Sequence, residues 1–204
     1  PLPWFSEFTT QAYSLSNENL YSDPVASTNT PSDKTGILAR FRNLWELGDD
    51  TTLELGASAA EGKNAFDKTT SLYGGDLTLK WRPSLGGKYR ALTWSTEYMS
   101  ANRRNRLDDS GNPNARLGGG STYFQYQFAE RWWVQARAEI LGSPRETGQT
   151  LFTKQSALLG FFPSEFSGIR AQYDTENNRA RNRKDYTFTL QYNITMGAHP
   201  AHLY

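Results

Sequence analysis

Chemistry in this sequence would have to come from two histidines, a scatter of carboxylates and one Gly-Gly-Gly run. His199 and His202 stand in the closing segment Gly197-Ala198-His199-Pro200-Ala201-His202-Leu203-Tyr204. An HxxH pair offers two imidazoles, but a metal site needs three or four ligands, and Pro200 breaks any helix that would bring both rings onto one face. No metal and no other cofactor is expected; the segment reads as a terminal tag that closes the last strand and supports assembly. A Ser-His hydrolase needs a His base beside its nucleophile, and no strand carries a His before residue 199. Glu97 with Glu139 or Asp174 is the remaining catalytic option, yet scattered acids are what a charged interior contains anyway. The chain is therefore expected not to be an enzyme. Gly118-Gly119-Gly120 lacks the Lys and the helix of a phosphate loop and reads as a loop or bulge before a strand.

Composition narrows the classes further. Among 204 residues, 22 are basic and 21 acidic, for a net charge of +1, so the basic footprint of a nucleic-acid binder is missing and nucleic acid is not an expected partner. Cysteine is absent, which removes disulfides, thiolate nucleophiles and Cys-based metal sites together. Mean hydropathy is −0.70, and no apolar run approaches the roughly 18 to 20 residues of a spanning helix. A membrane β-barrel escapes that test, because its strands are apolar only at alternate positions. With 28 aromatic residues (6 Trp, 11 Tyr, 11 Phe) the chain is too rich in rings for disorder. Pro1-Leu2-Pro3-Trp4 has no basic n-region or apolar h-region, so the expectation is a processed mature chain or a start within a larger protein.

The elements that would position these groups are strands. Period-2 alternation recurs from residue 37 onward. Ile37, Ala39, Phe41 and Trp45 alternate with Arg40, Arg42 and Glu46; Leu53, Leu55, Ala57 and Ala59 with Glu54, Gly56 and Ser58; Leu77, Leu79 and Trp81 with Asp76, Lys80 and Arg82. Leu92, Trp94 and Tyr98 alternate with Thr93, Ser95 and Glu97, and Trp132, Val134 and Ile140 with Trp133, Arg137 and Glu139. The last strand is the most regular, with Tyr186, Phe188, Leu190, Tyr192, Ile194 and Met196 on one face. Nine strands are visible from residue 37, and a weaker tenth falls within 4–15. Residues 1–36 are thus a weak first strand and a polar extracellular loop, 37–196 the strands of an antiparallel barrel, and 197–204 the closing segment.

Links near 47–51, 83–88, 129–131 and 163–167 look short, while those near 61–70, 101–120, 142–150 and 175–184 look long. Short turns at one end and long loops at the other is the outer-membrane arrangement. Trp45, Trp81, Trp132 and Trp133 cluster beside the short turns, as an aromatic girdle would. The fold expected is all-β: an antiparallel transmembrane β-barrel of about ten strands, or the C-terminal part of a larger one. Its polar face would hold Arg40, Arg42, Lys80, Arg82, Arg137 and Arg170 against Glu46, Glu54, Asp76, Glu97, Glu139 and Asp174, a balanced set from which no ion selectivity follows. Among these, Arg82, Glu97, Arg137, Glu139 and Arg170 are the candidate lumen-lining binding residues.

Several stretches carry a resemblance: Leu53-Glu54-Leu55-Gly56-Ala57-Ser58, Gly75-Asp76-Leu77 leading to Lys80-Trp81-Arg82-Pro83, Ser164-Glu165-Phe166 followed by Arg170-Ala171-Gln172-Tyr173, and the His-containing ending. Together they resemble the C-terminal half of a proteobacterial outer-membrane family described as zinc-regulated TonB-dependent receptors or porin-like proteins. The resemblance implies the outer membrane of a Gram-negative cell and passage of a metal ion or other small solute, with no catalytic residue to carry over. No TonB box or plug domain is visible, which sets energy-coupled transport apart from the expectation. The function expected is porin- or transporter-like; the alternative is a plugged scaffold barrel that presents its extracellular loops. Expected partners are outer-membrane lipid, the barrel-assembly machinery acting through the C-terminal strand, and other barrel subunits where the chain is part of a larger wall.

Overall fold

The computed structural model describes residues 4–14, 35–64, 68–85, 89–104, 114–143, 151–164, 166–179 and 182–195. They form ten strands: β1 (Phe5–Ser14), β2 (Thr35–Glu46), β3 (Thr51–Lys63), β4 (Thr69–Trp81), β5 (Ala91–Arg104), β6 (Asn114–Ala129), β7 (Trp132–Leu141), β8 (Phe152–Ser164), β9 (Ser167–Asn178) and β10 (Arg183–Ile194). Each pairs antiparallel with its sequence neighbours in one sheet of order β1 to β10. The all-β, antiparallel, ten-strand expectation holds. The sheet is not closed: β1 and β10 are its two edges.

The first strand expected within 4–15 is present as a ten-residue strand paired with β2 from Phe5–Leu44 to Ser14–Thr35. Other local expectations need correcting. The three glycines at 118–120 lie inside β6 rather than before it, Gly119 opposite Leu141 and Gly120 opposite Ile140. A Cβ at Gly120 would fall 2.5 Å from the Glu97 carbonyl oxygen, and one at Gly119 2.8 Å from that of Ile140. The run therefore lets three backbones lie close together. The contrast in link length is also weaker than the sequence suggests. Only four residues separate β9 from β10, whereas nine separate β4 from β5. The β2–β3 turn behaves as read: Leu47 N–H donates to the Thr51 carbonyl at 2.8 Å, and Gly48 takes φ +126°, a conformation open to glycine. The closing segment, with His199, His202 and Tyr204, lies outside the described residues, as does Met196.

Burial divides the two faces in an unusual way. Most of the exposed large apolar side chains share one face: Phe8, Phe41, Leu55, Tyr98, Phe124, Val134, Leu159, Tyr173, Phe188 and Leu190, the last 67% exposed, all point there, while Phe5, Met99, Leu141 and Phe162 are exposed on the other. Among the described residues Ala60 is the sole buried apolar side chain, while Asn64, Thr70 and Asp174 are buried polar ones. A soluble sheet protein hides its apolar face and wets its polar face; here the sheltered face is the polar one. Near the short-link end the apolar face carries rings in contact, Trp4 with Trp45 at 6.2 Å and Trp132 with Phe161 at 4.6 Å between centroids. Trp133 departs from the expected girdle, because its parity puts it on the polar face.

The rows of paired residues are inclined to the strand ends. Following partners across the sheet from Phe5 at the start of β1 leads through Leu44, Glu54, Thr78, Ser95, Tyr123, Arg137, Ser156 and Asp174 to Thr187. Strand β10 runs on past Thr187 to Ile194 on that same side. Seven residues at about 3.3 Å, spread over nine strand spacings of about 4.8 Å, make an inclination of roughly 28°. Barrel strands tilt in this way, commonly by about 35 to 45°.

Candidate functional site

The polar face is organised around ion pairs, most of which cross strands. On its β1–β4 side Arg42 bridges Glu7 at 2.7 Å and Glu54 at 3.5 Å, and Arg40 reaches over β3 to Asp76 on β4 at 2.9 Å. That reach depends on Gly56, whose added Cβ would stand 2.5 Å from both Asp76 carboxylate oxygens and 2.7 Å from an Arg40 guanidinium nitrogen. On the β7–β9 side Arg137 pairs with Glu139 at 2.5 Å, and Lys154 with Glu176 at 2.9 Å and Asp174 at 3.7 Å. Asp174, 5% exposed, also accepts hydrogen bonds from Ser156 Oγ at 2.5 Å and from Gln172 Nε2 at 2.9 and 3.0 Å. Such full satisfaction is what a buried carboxylate requires.

Between the two clusters Glu97 on β5 faces Asp76 directly across the β4–β5 pair, an arrangement of like charges that costs stability. Asp76 is neutralised by Arg40, whereas among the described residues Glu97 receives only the Ser121 hydroxyl, at 3.2 Å. Four of the five candidate residues therefore share the polar face. Glu97 and Glu139 lie on one row with Ser121 between them, and Arg137, Glu139 and Arg170 line a continuous groove with Gln135, Lys154 and Gln172.

Arg82 does not join them. It is exposed, one residue beyond the end of β4, where its N–H donates to the Asp50 carbonyl at 2.8 Å. Its neighbours in the cleft there are Glu46, Asp49, Asp50 and Lys80. The same turn is pinned by Ser84, whose backbone N–H donates to Asp50 Oδ1 at 2.6 Å. Hydrogen bonds from the Ser84 side chain and then its backbone hold the Asp50 carboxyl below its usual range. The alternation that ends in Trp81 gave no warning that pairing stops before Arg82; the following Pro83 is the signal, since it cannot donate to a ladder.

The sequence reading missed part of the site. Lys154, the cation of the second cluster, falls in a strand that begins at Phe152, earlier than the Ala157 at which apolar alternation becomes visible. Gln125, Trp133, Gln135, Leu158, Phe162, Arg170 and Asn193 surround a cavity of about 450 Å³. These residues come from β6 through β10, so the sheet curls with its polar face inward over those strands. Phe162 reaches that face by the same alternation that places Leu158 and Gly160 there, a face of β8 that the sequence reading left unexamined because it followed only Leu159 and Phe161. Among the described residues no group of three or more His, Asp or Glu is arranged to hold a metal ion. No family model, no curated protein and no solved structure matches this chain.

Proposed function

We propose that this chain forms the wall of an outer-membrane β-barrel, with the ion-paired face lining the lumen and the apolar face against lipid, and that it serves passage of a small solute or metal ion in the manner of a porin or transporter. The observation that carries the reading is the reversal of burial. Leu, Phe, Tyr and Ile side chains are exposed along nearly every strand, and charged pairs occupy the sheltered face. Water penalises that arrangement, and lipid rewards it. The ring contacts at the short-link end and the roughly 28° inclination support the same reading. The likeness to zinc-regulated TonB-dependent receptors belongs to this proposal, as do the Gram-negative outer membrane, the lipid and assembly-machinery partners and the non-catalytic role.

A membrane wall cannot keep open edges, because lipid offers no partners to free N–H and C=O groups. Along most of their length the edge strands lack the devices that protect soluble edges: β1 has a single charge, Glu7, and β10, beyond Arg183, Lys184 and Asp185 at its start, has no charge, Gly or Pro from Tyr186 to Ile194. Keeping strand ends level and faces matched sets Phe8 beside Leu190, Thr10 beside Phe188 and Ala12 beside Tyr186 outward, with Thr9 beside Thr189 inward. This β1–β10 seam closes the wall within one chain or between copies.

A plugged scaffold is the second reading, favoured by the Arg40–Asp76 bridge lying across the polar face over Gly56. One experiment separates the two. The chain is refolded in detergent, checked for heat-modifiable gel migration and reconstituted in a planar bilayer. Discrete conductance steps support passage, and a folded but silent barrel supports the scaffold. Folding in plain buffer without detergent refutes the membrane reading.

A further inference from the structure

The cations in the middle of the polar face are nearly all neutralised: Arg40 by Asp76, Arg42 by Glu7 and Glu54, Arg137 by Glu139, Lys154 by Glu176. Arg170 is different. Among the described residues it has no ion pair and no side-chain hydrogen bond, yet it is half-buried and lines both the 450 Å³ cavity and the neighbouring groove. Guanidinium groups held at a sheltered wall without a carboxylate are suited to bidentate capture of one from solution.

On its groove side Arg170 meets polar groups, Gln135, Gln172 and Glu139 among them; on its cavity side it meets the apolar, planar ones. Arg170, Gly160 and Trp133 occupy one row across β9, β8 and β7, so Arg170 and Trp133 stand about two strand spacings apart with no side chain between them. The Phe162 ring fills that gap. A Cβ at Gly160 would lie 3.0 Å from it, a tight contact, and one at Gly168 only 2.6 Å from it, so Gly168 is required for the ring to rest there and Gly160 eases its fit. Phe162 stays 39% exposed toward the cavity, and Leu158 completes the apolar lining. Gln125, Gln135 and Asn193 add neutral donors and acceptors at the margin. A few polar groups converging on an apolar cavity of some hundreds of Å³ is the usual composition of a small-molecule site.

We propose that this cavity is a binding subsite for small aromatic carboxylates, with Arg170 taking the carboxylate and Trp133 and Phe162 the ring. The proposal rests on reading the polar face as a water-accessible lumen, and it names the solute class for that lumen. Inorganic anions use Arg170 but not the rings, and neutral aromatics use the rings but not Arg170; only a molecule with both features uses the whole site.

The test is calorimetric titration of the detergent-refolded full chain with benzoate, benzamide and inorganic phosphate. Benzoate is expected to bind with a Kd on the order of 1 mM, and benzamide and phosphate each at least about tenfold more weakly, the factor expected for a lost charge-assisted hydrogen bond. Arg170→Gln should weaken benzoate about tenfold and leave benzamide unchanged. Arg170→Lys, which keeps the charge and tests the fork, should fall between, and Trp133→Leu should weaken both aromatics alike. Lys80→Gln, on the same face at the far turn, should change nothing. Equal affinity for benzoate and benzamide, equal affinity for benzoate and phosphate, an unaffected Arg170→Gln, or no heat at all each overturns the proposal. Because the titration needs no conductance, benzoate binding to an electrically silent barrel keeps the subsite and removes only the pathway. Folding without detergent removes the lumen reading itself.

Discussion

Leu158 and Leu159 are adjacent on β8 and face opposite ways, so one substitution made twice tests the assignment of faces. Leu159 points to the apolar face, 42% exposed and near the middle of its strand, five residues from Ser164 and seven from Phe152. Leu158 is half-buried on the polar face beside Gln135, Ser156 and Arg170. If lipid covers the apolar face, Leu159→Arg places a guanidinium at mid-membrane depth, at a cost of about 2 to 4 kcal/mol. Leu158→Arg puts the same group in a wet groove that already holds Glu139, and is expected to cost less than about 1 kcal/mol. With a urea slope of about 1 to 3 kcal/mol per M, Leu159→Arg should lower the unfolding midpoint by about 1 to 2 M. The assay is urea unfolding in lipid vesicles followed by tryptophan fluorescence. In water the order reverses: Leu159, already exposed, would tolerate Arg within about 0.5 kcal/mol. Equal costs, or a larger cost at Leu158, would refute the facing argument and the membrane reading with it.

Gly56→Ala should destabilise by about 1 to 3 kcal/mol, because its methyl falls within 2.7 Å of the Arg40–Asp76 bridge; adding Asp76→Ala should recover part of the loss, and additive costs in denaturant melts would count against the bridge. If the proposed β1–β10 seam closes the wall, Thr9→Cys with Thr189→Cys should oxidise readily to a disulfide, whereas Thr9→Cys with Asn193→Cys should not. A shifted monomer band on a non-reducing gel means closure within one chain, a dimer band means closure between copies, and no cross-link refutes the seam. The Asp50 carboxyl titrates below its usual range when folded, so its stabilisation of the turn is complete above the unfolded value of about 3.9 and is lost as pH falls through the lower folded value. Amide exchange at Ser84 should accelerate over that acid range, and Asp50→Asn should abolish the pH dependence.

Alternation made the strands legible because each has two chemically distinct environments. The Glu54, Gly56, Ser58 set against Leu53, Leu55, Ala57 on β3, and the long run from Tyr186 to Ile194 on β10, could be read directly. Pairing order was legible too, since short links force sequential antiparallel neighbours. Three things were not. Strand ends were underestimated at β4 and β9, where Thr69–Tyr73 and Thr175–Asn178 continue the ladder without an apolar side chain at every second position. Which charges meet depends on register over two or three strands: Arg40 finds Asp76 only because Gly56 lies between them. The seat of the Phe162 ring depends on a neighbouring strand: alternation turns the side chain to the polar face, but it can rest there only because Gly168 on β9 has no Cβ, which would lie 2.6 Å from the ring.

The mean hydropathy of −0.70 and the 28 aromatic residues looked contradictory in one chain, and the sheet resolves them with a single requirement. A single-layer wall has no core on which to spend apolar residues, so half of every strand is free to be polar. The apolar half must then act from the outside, where large rings and branched chains cover the most surface per residue. The same requirement explains why polarity on the sheltered face takes the form of pairs. A lone charge against a low-dielectric wall is costly, and the meander supplies a partner one or two strands away wherever a glycine or serine leaves room, as Gly56 does for Arg40 and Ser156 does beside Asp174. Glu97 and Arg170 break that rule on opposite sides of the second cluster, one acidic and one basic, each facing space instead of a counter-charge. On this logic Glu97→Gln relieves the repulsion from Asp76 and should leave the fold unchanged or stabilise it, whereas Glu139→Gln strands Arg137 and should destabilise it. Equal costs for the two substitutions would show that pairing does not govern the polar face.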